Sequence, residues 1–139
     1  MDTTDSTLAS GTLEAVFSNS TEKFVATNVY VLPRSGMRLR GTHSTENFNT
    51  TSIDIHFRDR IPGNDSSDLL PPGKYEYPHE HITVEYYGLV NGIAFHATPV
   101  EGSVTVVTQG NFHYSGNFAI NFTMNNESFE VQCYYNLEG

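Results

Sequence analysis

Phe118, Ile120, Phe122 and Met124 stand at every second position, and so do Phe129, Val131, Cys133 and Tyr135. Successive side chains on a β-strand point to opposite faces, so this spacing puts one apolar row against a core and one polar row against water. No window of the chain repeats apolar residues at helical spacing over three turns. A chain patterned this way folds as stacked strands and has no helical scaffold to lean on.

The same period runs from end to end. It predicts strands over 12–17, 24–32, 37–42, 52–57, 74–77, 82–90, 93–98, 103–108, 112–124 and 128–137. On the first, Leu13, Ala15 and Phe17 share a face; on the fourth, Ile53, Ile55 and Phe57 turn inward while Asp54 and His56 turn outward. Turn chemistry separates the runs at Pro33-Arg34-Ser35-Gly36, at Asn91-Gly92 and at 99–102. Gly88 marks a candidate bulge. The longest irregular stretch is 58–68. Roughly ten short strands at this spacing predict an all-β fold, a single-domain antiparallel β-sandwich or flattened barrel. Residues 1–10 read as a flexible, polar N-terminus and 11–139 as the single β domain. The chain has 139 residues and no Trp, so nine Phe and eight Tyr must fill its core.

Charge narrows the partners. The formal net charge is −9, and the densest cationic group is Arg34, Arg38 and Arg40. Phosphate backbones are repelled by such a chain, which argues against nucleic acid, and anionic membrane surfaces are disfavoured for the same reason. No apolar stretch is long enough to insert into a membrane. The N-terminal residues lack the basic start and apolar run of an export signal, so the chain as written reads as cytoplasmic; a secreted mature form carrying a start Met would look the same. Cys133 is the single cysteine, which rules out an internal disulfide and fits a small buried hydrophobe.

Two patterns carry candidate chemistry. His79 and His81 are two residues apart and, on a strand, would face the same way; with Glu85 they offer imidazole and carboxylate ligands for iron, manganese, zinc, nickel or copper. Asp59, Asn64, Asp65 and Asp68 share one loop but lack the spacing of a Ca²⁺-binding EF-hand. Tyr75, Tyr77, Tyr86 and Tyr87 form a tyrosine-rich run, a candidate aromatic platform for a glycan or another ligand. His43, His56 and His96 fall at loop or outward strand positions and receive no role. There is no Gly-x-Ser-x-Gly elbow and no phosphate-cradling glycine loop.

Gly73, His79-Glu80-His81, Glu85 and Gly92, at spacings of five, three and six residues, resemble the first signature of the cupin family. Gly102, Thr108, Gly110, His113 and Asn117 are similar to the second. This resemblance implies a metalloprotein in which His79, His81, Glu85 and His113 hold one divalent transition metal. A broader resemblance follows the order GTLEAVF, KFVATNVYV, MRLRGT, SIDIHF, PPGKYEY, ITVEYY, GIAFHATPVEGSVTVV, YSGNFAINF and FEVQCYYNL. That order is similar to a diffuse group of small uncharacterised bacterial β domains of the lipocalin-like or sandwich sort, and it implies no catalytic residues and no cofactor.

The leading expectation is therefore non-catalytic binding of a small ligand, a glycan or a protein partner, in an apolar cavity closed between the sheets or on a β surface. The cupin-like metalloprotein is the alternative. A homodimer joined through a sheet edge is a third expectation.

Overall fold

The computed structural model describes residues 7–33, 35–45, 47, 49–59 and 69–139. Among them are eleven strands and no helix: β1 (Thr7–Leu8), β2 (Ser10–Phe17), β3 (Lys23–Val25), β4 (Asn28–Leu32), β5 (Met37–Ser44), β6 (Thr50–Phe57), β7 (Gly73–Tyr77), β8 (Ile82–Val90), β9 (Ile93–Gly110), β10 (His113–Met124) and β11 (Glu127–Glu138). All pairings are antiparallel, in the order β1-β4-β5-β6-β8-β9-β10-β11-β2-β3, with β7 beside β9.

The two ends of this path are the halves of one hairpin. β1 and β2 follow one another along the chain, as do β3 and β4; β1 pairs with β4 while β2 pairs with β3. β2 also pairs with β11. Likewise β7 and β8 lie end to end along one edge of β9, Tyr77 opposite Gly102 and Tyr86 opposite Ala97. Counted as continuous runs, the strands make an eight-membered up-and-down meander whose last member returns to its first, a flattened barrel.

Three of the tight hairpins have two-residue connections with both residues at positive φ: Asn91-Gly92, Asn111-Phe112 and Asn125-Asn126. That conformation matches the right-handed twist of the flanking strands, and Asn and Gly adopt it at little cost.

One alternate row fills the interior. Leu39, Ile53, Ile55, Phe57, Val84, Val104, Ile120, Phe122, Val131, Cys133 and Leu137 are completely buried. Cys133 is thus the small buried hydrophobe that its strand position predicts.

Several boundaries differ from the sequence reading, each for a physical reason. The turn expected over 99–102 is absent: β9 runs unbroken from Ile93 to Gly110. The register against β10 slips at Val100, between the pairs Asn121–Glu101 and Phe122–Pro99, and again at Val107. Such bulges bend a strand, here from β8 towards β7, and they give Pro99 a place where a missing N–H is tolerated. The run 24–32 is instead broken at Ala26 and Thr27, whose amides bond outward to Leu13 O and Thr42 O. Gly41 lies against this corner, with room for no Cβ between the Leu13 and Ala26 side chains. Gly88 makes no bulge; it pairs regularly with Thr51 and Phe95, and its bare Cα lets the Phe95 ring and the Thr50 carbonyl close in. Leu8 and Thr7 pair with β4 although the sequence places them in a flexible tail. Most of the irregular loop, with Asn64, Asp65 and Asp68, lies outside the described residues.

Candidate functional site

In an up-and-down meander, alternate hairpins gather at the same end. Here the β2–β3, β5–β6, β8–β9 and β10–β11 connections share one end of the barrel, and each contributes to a cleft of about 700 Å³. Asn19, Ser20 and Glu22 come from the first, Thr45 and Asn49 from the second, Val90 from the third and Met124 from the fourth. Clefts of about 300–1,000 Å³ in barrel mouths are usual sites for small ligands.

Aromatic rings floor the cleft. Tyr86 stacks on Phe17 with ring centroids 5.1 Å apart and meets Phe95, Phe122 and Phe129 edge-on at 5.2, 6.3 and 6.2 Å. Below them Phe122 lies parallel to Phe129 at 6.1 Å, and both are buried. In place of the closed cavity expected between sheets, the cleft among the described residues is an open mouth backed by large buried rings.

The polar rim is held in place by bonds that leave particular atoms pointing free. His43 Nδ1 lies 3.0 Å from Val25 O. A carbonyl only accepts, so Nδ1 carries the hydrogen, and in that tautomer Nε2 is the acceptor. Asn49 Oδ1 accepts the Asn91 amide at 2.8 Å, which joins two of the hairpins and leaves the Asn49 NH₂ without a partner among the described residues. Ser18 and Glu130 exchange two bonds of 2.8 and 2.9 Å that anchor the β2–β3 loop. The Tyr86 hydroxyl has no protein partner among the described residues, and burial raises its pKa. The charged lining groups, Glu22 and Lys23, are opposite in sign.

The four tyrosines do not form one platform. Tyr86 alone reaches the mouth. Tyr87, the next residue, faces the opposite way, where its ring meets His96 and its hydroxyl reaches Asp54 at 3.3 Å. Tyr75 and Tyr77 are half-buried on β7, where the Tyr75 hydroxyl donates to Pro71 O and its ring meets His79 edge-on.

Of the four residues that the cupin resemblance singles out, His79 and His81 are brought together, with ring centroids 5.8 Å apart. They lie in the bend between β7 and β8 and not on a strand, and the His81 amide donates to His79 Nδ1 at 3.1 Å. Glu85 faces His96 at 3.5 Å, and His113 Nε2 meets Asn136 Oδ1 at 2.7 Å at the start of β10. Among the described residues, no three His, Cys, Asp or Glu side chains are grouped so as to hold a metal ion.

A second polar cluster covers the outer side of β5, β6 and β8. Asp54 faces outward as its strand position predicts, yet it is only 1% exposed. Arg40 grips it through Nε at 2.8 Å and Nη2 at 3.2 Å, and Arg38 approaches at 3.6 Å. The bond to Asp54 raises the Arg40 pKa. Replacing Arg40 by Met strands a carboxylate that water barely reaches, so the variant is expected to lose about 1–3 kcal/mol. The double variant Arg40→Met/Asp54→Leu should regain most of that loss in urea denaturation. Equal losses in the single and double variants would show that the pair contributes through something other than a satisfied buried charge.

No family model, curated relative or solved structure matches this chain.

Sequence reasoning missed His43 and Asn49. The signal for His43 was present: Met37, Leu39, Gly41 and His43 continue one inward row, and β5 extends to Ser44, beyond the expected end at 42. Asn49 carried no such signal, because its role depends on the approach of a turn 42 residues away.

Proposed function

We propose that this chain is a non-catalytic binding module that holds a small uncharged ligand in the mouth of its barrel. The observation that carries this reading is the aromatic floor around Tyr86 beneath a rim of hydroxyl, amide and imidazole groups. Apolar walls with a few oriented polar groups are the usual construction of small-ligand sites. The up-and-down order of the strands supports a lipocalin-like character, since barrels of eight strands have room for side chains or for one small ligand. Here side chains take the interior, which leaves the ligand the mouth. Lys23 is already paired with Glu14 at 2.6 Å, and the hydroxyl and amide groups of the rim favour an uncharged occupant.

The chain has no Trp, so Asn19→Trp places a lone fluorescent reporter on the exposed rim. Titration with the uncharged apolar dye N-phenyl-1-naphthylamine is expected to change that emission saturably. A Phe112→Trp reporter, in a turn at the far end, should stay unchanged. Equal responses from both reporters, or none from the rim, would refute binding at the mouth.

A further inference from the structure

We infer that the mouth recognises a neutral saccharide, and that Asn49, His43 and Tyr86 read its hydroxyl groups; this inference rests on the binding role proposed above. Three observations converge on that ligand class. The first is depth. Phe122 is completely buried against Tyr86 and Phe129, and among the described residues these rings back the floor of the mouth where an acyl chain or another long apolar tail would enter. The occupant lies across a shallow floor.

The second is the kind of polar groups displayed. Asn49 offers its NH₂ donors, because its orientation is fixed by the bond that Oδ1 accepts from the Asn91 amide. In its Nδ1–H tautomer His43 offers an acceptor at Nε2, because Nδ1–H is committed to Val25 O. The Tyr86 hydroxyl both donates and accepts, and it is without a protein partner among the described residues. A sugar hydroxyl also donates and accepts, so a ring bearing several of them matches the donors, acceptor and hydroxyl that these three residues bring to one cleft. An apolar ligand would leave them dehydrated and unpaired, which is costly.

The third is the floor. The C–H face of a pyranose ring is apolar, and the aromatic side chains that line the mouth, Phe17, Phe24, Tyr86 and Phe129, offer it an apolar surface. The orientation of each polar group is set by a second bond or by ring packing before any ligand arrives, which lowers the ordering cost of binding.

The test is an NMR titration of the ¹⁵N-labelled chain with glucose, galactose, mannose, N-acetylglucosamine and their β1,4-linked dimers, up to high millimolar concentration. N-phenyl-1-naphthylamine serves as a separate arm. At least one saccharide is expected to shift the amides of Phe17, Thr45, Asn49 and Thr51 saturably. Asn49→Asp keeps the acceptor for Asn91 and removes the donors, and Tyr86→Phe keeps the ring and removes the hydroxyl. Each is expected to weaken that saccharide by roughly three- to tenfold, the size of one lost hydrogen bond. If the dye perturbs the mouth and no saccharide does, the saccharide inference falls and the binding role stands. If neither perturbs it, both fall. Saccharide affinity unchanged in both variants would overturn the assignment of these residues.

Discussion

A Phe122→Ala variant is expected to lose about 3–5 kcal/mol of stability, the usual cost of removing a fully buried aromatic ring. Phe122 is completely buried and lies parallel to Phe129 at 6.1 Å, with Tyr86 edge-on above it at 6.3 Å. Tyr86 and Phe129 also floor the mouth. The hole left by the ring would therefore lie directly below the cleft and would be lined by apolar atoms. Cavities of that kind stay dry and accept small apolar molecules. Benzene or indole should then raise the melting temperature of the variant and leave the parent chain unaffected, because ligand binding to the folded form alone stabilises it by mass action. Urea denaturation measures the first effect and a thermal melt the second. A loss under about 1 kcal/mol would mean that the barrel is not tightly filled, and the argument from depth would fail with it.

Stability should also fall steeply in alkali. Burial raises the pKa of the Cys133 thiol and of the Tyr135 hydroxyl far above their ordinary values of 9.0 and 10.0. Both are inward-facing on β11; Cys133 is fully buried, and the Tyr135 hydroxyl packs over Gly116 on the neighbouring strand without a hydrogen-bond partner. Each group has a folded pKa above its unfolded one. Its contribution is therefore complete below the unfolded pKa and is lost as pH rises towards the folded pKa, because only the unfolded chain releases the proton. From pH 9 the stability should drop by about 1.4 kcal/mol per pH unit, and from pH 10 by at least about twice that as Tyr135 joins Cys133, with Tyr86, Tyr87 and Tyr114 adding in the same direction. Cys133→Ala should remove the first limb and leave the second. Urea midpoints measured from pH 8 to 11 read both slopes. A flat profile would show that these groups ionise in the folded barrel, which their burial forbids.

Much of the fold is legible in the alternation. Leu13, Ala15, Ile53, Ile55, Phe118, Ile120, Val131 and Cys133 all lie on the face that period two assigns them, and the Asn91-Gly92 hairpin forms as its residues require. Errors cluster where curvature is generated. Pro99 and Gly102 look like a turn locally, but the barrel needs a single long strand there, bent by the extra residue Val100. The sites are less legible. His79 and His81 attract attention by their spacing, although the structure leaves them in a bend apart from Glu85 and His113. Asp54 looks like a solvated outward carboxylate, and only two arginines and a tyrosine from neighbouring strands show why it is buried.

Period two determines which face each side chain takes, and hence an all-β class, an aromatic core and the position of the hairpins. It carries no information about which hairpins share an end. That follows from the up-and-down order of the pairings, and closure of the sheet, when β11 returns to β2 and the halves of the first hairpin meet both edges, then draws those hairpins around one mouth. Only then do Phe17 and Tyr86 stack, whereas Asn91 reaches Asn49 through the pairing of β6 with β8. The physical reason is range. Alternation is written between neighbours in the chain, whereas the mouth is built from residues tens of positions apart that meet because a twisted sheet curls back on itself.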